Sequence, residues 1–360
     1  MFKSLRRMKF DRACIALACS LSMTLMVPAA IAQSLESLFQ EGSAAFNARD
    51  YARSEQIWRS VLERDRDNAA AYDWLGLSLY YQDRVEEAIA AYRQAIALDP
   101  QQSSAYNNLG NAFNDRGQFE EAIAAYRQGL EINPNQGQTH YNLAVVLSAT
   151  GRIPEAIASY RRAIQLNPTD GEAYLKLAGL LRRDDRPDEA IVAYRQALQV
   201  NPNQARAYNE LGIVLVRQGN LEEAIAAYER ALQIEPNWAG VHNNLAVVLQ
   251  RQDRWNEAIA AYRRAIELDP NLGTAYNGLG VIYRQQGQFD EAIAHFERAI
   301  ALPDRAAIPA NSRVLAYNGL GLTLQAQGKI AEAIAQFERA VELDPSYTPA
   351  QYNLKQIRGQ

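Results

Sequence analysis

The sequence predicts an all-α solenoid, one small unit of two helices stacked many times. Three observations carry this. Pro100 recurs as Pro134, Pro168, Pro202, Pro236 and Pro270, each 34 residues after the last. The phrase before each proline returns nearly unchanged, as EEAIAAYRQAIALDP ending at Pro100 and NEAIAAYRRAIELDP ending at Pro270. Within each unit the apolar residues fall at spacings of three and four, the period of one helix face. A fixed period of this length means that each unit buries its apolar face against its neighbours. It points to binding along an extended surface and away from chemistry at a single active site.

With the proline as position 32, units begin at 35, 69, 103, 137, 171, 205, 239 and 273. A ninth begins at 314, because Pro345 follows Pro270 by two periods plus seven residues. The extra residues fall within 303–313, where two prolines and an asparagine predict a loop. Positions 4, 7, 8 and 11, such as Tyr106, Leu109, Gly110 and Phe113, form the packed stripe of a first helix. Position 8 is only Gly or Ala, which permits close helix approach. Gly117, Gly151, Gly219, Gly287 and Gly328 at position 15 suit a left-handed residue ending that helix. Acidic pairs such as Glu120-Glu121 then open a second helix, where carboxylates complement the helix dipole. It packs through positions 20, 24 and 27, and the proline closes it.

Residues 1–32 stand apart. Lys3, Arg6, Arg7, Lys9 and Arg12 precede an apolar run from Ala13 to Val27, then Ala30-Ile31-Ala32, the pattern of a secretory leader cleaved after Ala32. Alternatives are an uncleaved anchor, a lipoprotein anchor at Cys19 or twin-arginine export. The apolar run is short of the ~20 residues needed to span a bilayer. The expected location is therefore periplasmic or secreted. Both cysteines, Cys14 and Cys19, leave with the leader, so neither a disulfide nor a thiolate metal site is expected in the mature chain. The remainder carries 32 Lys and Arg against 40 Asp and Glu, a net charge of −8, which argues against nucleic-acid binding.

The pattern Y-x-x-L-G-x-x-Y … A-x-x-x-Y-x-x-A-x-x-x-x-P resembles the tetratricopeptide repeat family, with Tyr in place of the family's Trp at position 4. It covers residues 35 to 347, within a predicted repeat region of 33–347. The first unit is the most irregular: Gly42, Phe46 and Trp58 hold, while Ser54 and Arg66 depart. Residues 348–360 read as a closing helix. The resemblance implies a right-handed superhelix of antiparallel helix pairs, with the first helices lining a concave groove. It also implies a protein-binding scaffold that is not an enzyme and needs no cofactor or metal.

In the family, positions 2, 5, 6, 9, 12 and 13 line the groove, and they supply the candidate partner-binding residues. Asparagine recurs there as Asn107, Asn108, Asn111, Asn142, Asn209, Asn243, Asn244 and Asn277, although it is a poor helix former. Its amide suits the backbone of an extended peptide. Copying by duplication or bonding between repeats would explain the row equally. Lys176, Arg182, Arg183, Arg217, Arg251 and Arg284 add a basic mid-chain group, read either as a site for partner carboxylates or as a solvated face. Val145, Ile213, Val247 and Val281 form an apolar floor at position 9. Trp74, Tyr80 and Tyr81 are read as an aromatic anchor or as stacking onto the first unit. His140, His242, Trp58 and Trp255 are expected in the core, with no catalytic or metal-binding pattern around the histidines. A self-associating array, and hence a homo-oligomer, or an accessory subunit of an envelope assembly or enzyme complex, is the competing expectation.

Overall fold

The computed structural model describes residues 29–302 and 312–359, so the expected leader's residues 1–28 and most of the expected loop lie outside the described residues. Nineteen helices and no strands occur among the described residues. They divide into two compact units, Met1–Ile132 and Asn133–Gln360. The first holds α1 (Ala29–Asn47), α2 (Tyr51–Arg64), α3 (Ala69–Tyr80), α4 (Val85–Leu98), α5 (Ser103–Asp115) and α6 (Phe119–Ile132). The second holds α7 (Gly137–Ala149), α8 (Ile153–Leu166), α9 (Gly171–Arg183), α10 (Pro187–Val200), α11 (Ala205–Arg217), α12 (Leu221–Ile234) and α13 (Ala239–Arg251). It continues through α14 (Trp255–Leu268), α15 (Gly273–Gln285), α16 (Phe289–Ala301), α17 (Ser312–Ala326), α18 (Ile330–Leu343) and α19 (Thr348–Arg358). Each odd-numbered helix up to α17 packs against the helix that follows it, and within each unit the pairs stack in chain order.

Every repeat turns on a left-handed residue at position 15. The five glycines do so at φ 74 to 80°, and Arg49, Asp83, Asp185 and Asp253 take the same conformation with φ between 55 and 65°. The pair geometry rests on position 24, always aromatic, lying on position 8. A methyl at Gly110 would stand 2.5 Å from the Tyr126 ring, and one at Gly280 2.7 Å from Phe296. Only a residue with little or no side chain leaves room for a ring there. The rings so covered, including Trp58, Tyr92, Tyr126, Tyr262, Phe296 and Phe337, are fully buried.

The buried stripe of the first helices runs through positions 3, 7, 10 and 11 (Ala105, Leu109, Ala112 and Phe113 in α5) and not through position 4. Tyr106, Tyr276, His140 and His242 at position 4 are only partly buried. The histidines therefore depart from the expected core placement. His140 Nε2 lies 3.0 Å from the Pro134 carbonyl oxygen and His242 Nε2 lies 2.9 Å from that of Pro236, both in the preceding loop. Trp255 at position 17 is likewise partly buried, whereas Trp58 is in the core as expected. The irregular first repeat is held by a polar core device. Ser54 Oγ donates to the Gly42 carbonyl (3.0 Å), lies 2.9 Å from Ser78 Oγ and accepts from Trp58 Nε1 (3.0 Å).

At the other end, α17 begins at Ser312, so the last two residues of the expected loop form the start of a helix. Ser312 is buried against Gly273, whose place could not hold a Cβ (2.8 Å to Ser312 Oγ). The last helix, α19, packs on α18 as the first helix of another pair would. Positions that meet a second helix elsewhere hold Gln351, Lys355 and Arg358 beside Leu354, and they border an open cleft of about 530 Å³.

Gly278 and Gly179 separate ring packing from helix propensity. A methyl at Gly278 would lie 2.1 Å from Tyr262 Cζ, whereas at Gly179 the nearest atom is Tyr194 Oη at 3.9 Å. Gly278→Ala is expected to destabilise by about 1–3 kcal/mol through overpacking. Gly179→Ala is expected to stabilise by up to ~1 kcal/mol. Equal effects in chemical denaturation would contradict the packing assignment.

Candidate functional site

The candidate residues lie on the first helices, but burial splits them into two sets. Asn108, Asn142, Asn209 and Asn277 are buried; Asn107, Asn111, Asn243, Asn244, Arg182 and Arg284 are partly exposed; Lys176, Arg183, Arg217 and Arg251 are exposed.

The buried amides are engaged with other protein groups. Position 5 of one repeat meets position 6 of the next, 35 residues on. Asn108 Nδ2 donates to Asp73 Oδ1 (2.8 Å), Asn244 Nδ2 to Asn209 Oδ1 (3.1 Å) and Asn353 Nδ2 to Asn318 Oδ1 (2.9 Å). Position 2 of the next repeat reaches the same acceptor. Ser104 Oγ donates to Asp73 Oδ2 (2.8 Å), and Thr274 Oγ1 donates to Asn243 Oδ1 at 3.3 Å. In this last case position 6 is Gly278, which has no amide to offer. Asn277 instead donates through Nδ2 to the Ser312 carbonyl at 2.7 Å. Asn142 accepts from Gln138 Nε2 at 2.9 Å. A buried amide without partners costs about 1–3 kcal/mol, so pairing at the seam between repeats explains why a poor helix former recurs there. Where position 6 carries Gly278, Gly319 or Trp74 in place of asparagine, ring packing is the cause. Gly278 lies against Tyr262 and Gly319 against Phe296, each the ring of the preceding repeat, and Trp74 stacks on Trp58 at 5.5 Å and 12°.

The aromatic group of the second repeat turns towards the first. Phe46 meets Trp74, Tyr51 and Tyr81 edge-on at 5.3–5.4 Å, and Tyr51 stacks on Tyr81 at 5.0 Å. Burial pushes the Tyr81 hydroxyl up to about 12. Tyr80 Oη donates to Asp115 Oδ2 at 2.5 Å. Trp74 and Tyr81 thus stack onto the first repeat, whereas Tyr80 turns to the third.

Tyrosine hydroxyls at position 24 meet the same inner surface from below. Tyr126 Oη donates to Asn111 Oδ1 (2.7 Å) and Tyr262 Oη to Gln250 Oε1 (2.9 Å). The cations differ in their surroundings. Lys176 pairs with Glu172 at 3.1 Å, and Arg182 lies 3.4 Å from Glu210. Arg284 has no ion pair among the described residues, its Nε is buried without a partner, and burial lowers its guanidinium below the ordinary value. Phe296 replaces tyrosine in that repeat, removing the hydroxyl that in the preceding repeat meets position 12, as Tyr262 meets Gln250. Arg183, Arg217 and Arg251 end α9, α11 and α13 without an ion pair among the described residues. Asp73, Ser104, Thr274, Ser312 and Asn353 were missed by sequence reasoning, although pairing position 5 with the next repeat's position 6 would have found Asp73 and Asn353.

Asp73 provides a pH test of this seam. Burial holds its carboxyl above the ordinary 3.8, although hydrogen bonds from Asn108, Ser104 and Gln102 pull the other way. A raised folded value favours the fold in the protonated form; that contribution is full below 3.8 and is lost as pH rises through the folded value. Asp73→Asn keeps the acceptor for Asn108, so it is expected to add roughly 0.5–2 kcal/mol at pH 7. The gain should shrink as pH falls towards 3.8. Thermal melts showing a loss at pH 7 would contradict a net burial penalty.

Comparison with known proteins places this geometry. Tetratricopeptide repeat models match residues 39–103, 75–137 and 107–171. The model of the cilia and flagella-associated protein 70 C-terminal domain matches residues 149–353, more than half of the chain. No curated protein matches the sequence. Among solved structures, the C-terminal part of a TPR repeat-containing protein from Cytophaga hutchinsonii is similar at a TM-score of 0.58 and 16% identity, covering 67% of this chain and 99% of that one. YrrB, titled a TPR protein with an unusual peptide-binding site, aligns at 0.47 and 25% identity over 50% of this chain and 92% of its own. PilF of Pseudomonas aeruginosa aligns at 0.47 and 20% identity, over 63% and 99%. With these models together matching residues 39–353, and the helix pairs described above, the chain belongs to the tetratricopeptide repeat family.

Proposed function

We propose that this protein is an exported, non-catalytic scaffold that holds a segment of another protein along its first helices. The family and fold are those of interaction scaffolds. One observation supports the choice of face. In the second unit, α9, α11, α13 and α15 lie side by side, and Ile213, Val247 and Val281 at position 9 stay partly exposed beside arginines without ion pairs. An apolar floor with a charged margin suits an extended or amphipathic segment. The second helices carry their paired acids outward, where Arg195 meets Glu223 and Arg161 meets Glu189 in exposed ion pairs that contribute little.

Self-association is the second reading. End-to-end stacking through α19 would bury Gln351, Lys355 and Arg358, which disfavours that end as a joint. Export is supported by the basic, apolar and A-x-A pattern of residues 1–32.

A photo-crosslinking residue at Val247 should capture a partner in cells, and one at Val192, which is 58% exposed on the second helix α10, should not. Capture from Val192 alone, or from neither, would contradict the first-helix face. N-terminal sequencing of the envelope fraction should begin at Gln33; a chain beginning at Met1 in the cytoplasm would contradict export.

A further inference from the structure

We propose that α9, α11 and α13 recognise an acidic protein segment, read by Arg183, Arg217 and Arg251 one repeat at a time. The proposal rests on the first helices being the binding face and gives that face its chemistry.

The three arginines are 34 residues apart, occupy position 13 of consecutive repeats and form the last residues of adjacent helices. All are exposed, and none has an ion pair among the described residues. The nearby acids are engaged elsewhere: Glu172 with Lys176, Glu210 with Arg182, and Asp184 with Arg186 at 3.7 Å. Asp185 and Asp253 sit in the left-handed turns beyond the helices. A cation in the last turn complements the helix dipole, but that holds for every first helix. Position 13 is nevertheless Tyr81, Asp115, Ala149, Gln285 and Ala326 in other repeats, so neither the dipole nor the consensus explains three arginines in succession. Arg284, at position 12 of the next repeat, adds a half-buried cation without a counter-ion among the described residues on α15. Ile213 and Val247 provide apolar contact beside the charges.

Guanidinium forks hold carboxylates bidentately, so carboxylates spaced along an extended segment can engage the row in turn. Nucleic-acid phosphates share that affinity for arginine. However, the chain's net charge is −4, which opposes the approach of a long polyanion more than that of a short acidic segment.

The test uses the full chain and fluorescence anisotropy with labelled peptides of about 15 residues. One alternates Glu with Leu, one has Gln for Glu, one has Lys for Glu, and a single-stranded oligonucleotide matches the acidic peptide in charge. The acidic peptide should bind tightest, and about fourfold more salt should weaken it several-fold. Replacing Arg183, Arg217 and Arg251 together by Gln should weaken it about tenfold or more, while Arg161→Gln on the outer face should not. Unchanged melting of the triple variant shows that it folds, as expected for exposed residues. Equal binding of the Gln peptide, insensitive to the triple variant, would overturn the acidic preference while leaving the scaffold reading intact. Failure of every peptide to bind would overturn both, and tighter binding of the oligonucleotide would overturn the choice of a protein partner.

Discussion

A ring resting on a residue with almost no side chain is the constraint on which this molecule depends. In each repeat an aromatic group at position 24 fills the space above Gly or Ala at position 8, which brings the two helices together and buries the ring. The same ring then meets position 6 of the next repeat, as Tyr262 meets Gly278 and Phe296 meets Gly319. One aromatic side chain thus joins a pair internally and sets where the next pair begins. Stability in such an array is a sum of repeat and interface terms, so a defect at one ring is felt at two interfaces.

Between the rings, side-chain hydrogen bonds fix the seam. Position 5 accepts from positions 6 and 2 of the following repeat, as at Asp73, Asn209, Asn243 and Asn318. Where position 6 is glycine the pattern changes: Thr274 alone serves Asn243, and Asn277 donates to the Ser312 carbonyl while its own Oδ1 is left without a partner. Asn108, Asn209, Asn244, Asn318 and Asn353 are therefore part of the stack. The apolar strip at position 9 and the arginines at the helix ends stay partly or fully exposed and vary from repeat to repeat.

Much of this was legible beforehand. Proline punctuation, the small residue at position 8 and the left-handed turn at position 15 follow from backbone and steric rules that act within a few residues. The turns at Arg49, Asp83, Asp185 and Asp253 were not, because residues other than glycine take that conformation less readily, although aspartate does so more often than most. Periodicity identified a face but not its depth. Position 4 was assigned to the core, yet His140 and His242 sit at its edge and reach the preceding loop. The asparagine seam was obscured for a different reason: its partners are 35 residues apart, and the offset of one position appears only when helices are stacked. The arginines at positions 183, 217 and 251 were visible as charges, but their lack of ion pairs required coordinates.

The most direct test is a double-mutant cycle at Asn209 and Asn244, measured by chemical denaturation. A bond across the seam predicts that Asn209→Ala and Asn244→Ala are each destabilising and are coupled by about 0.5–1.5 kcal/mol. Additive losses with no coupling, accompanied by loss of partner binding, would contradict it and return the asparagines to the binding surface.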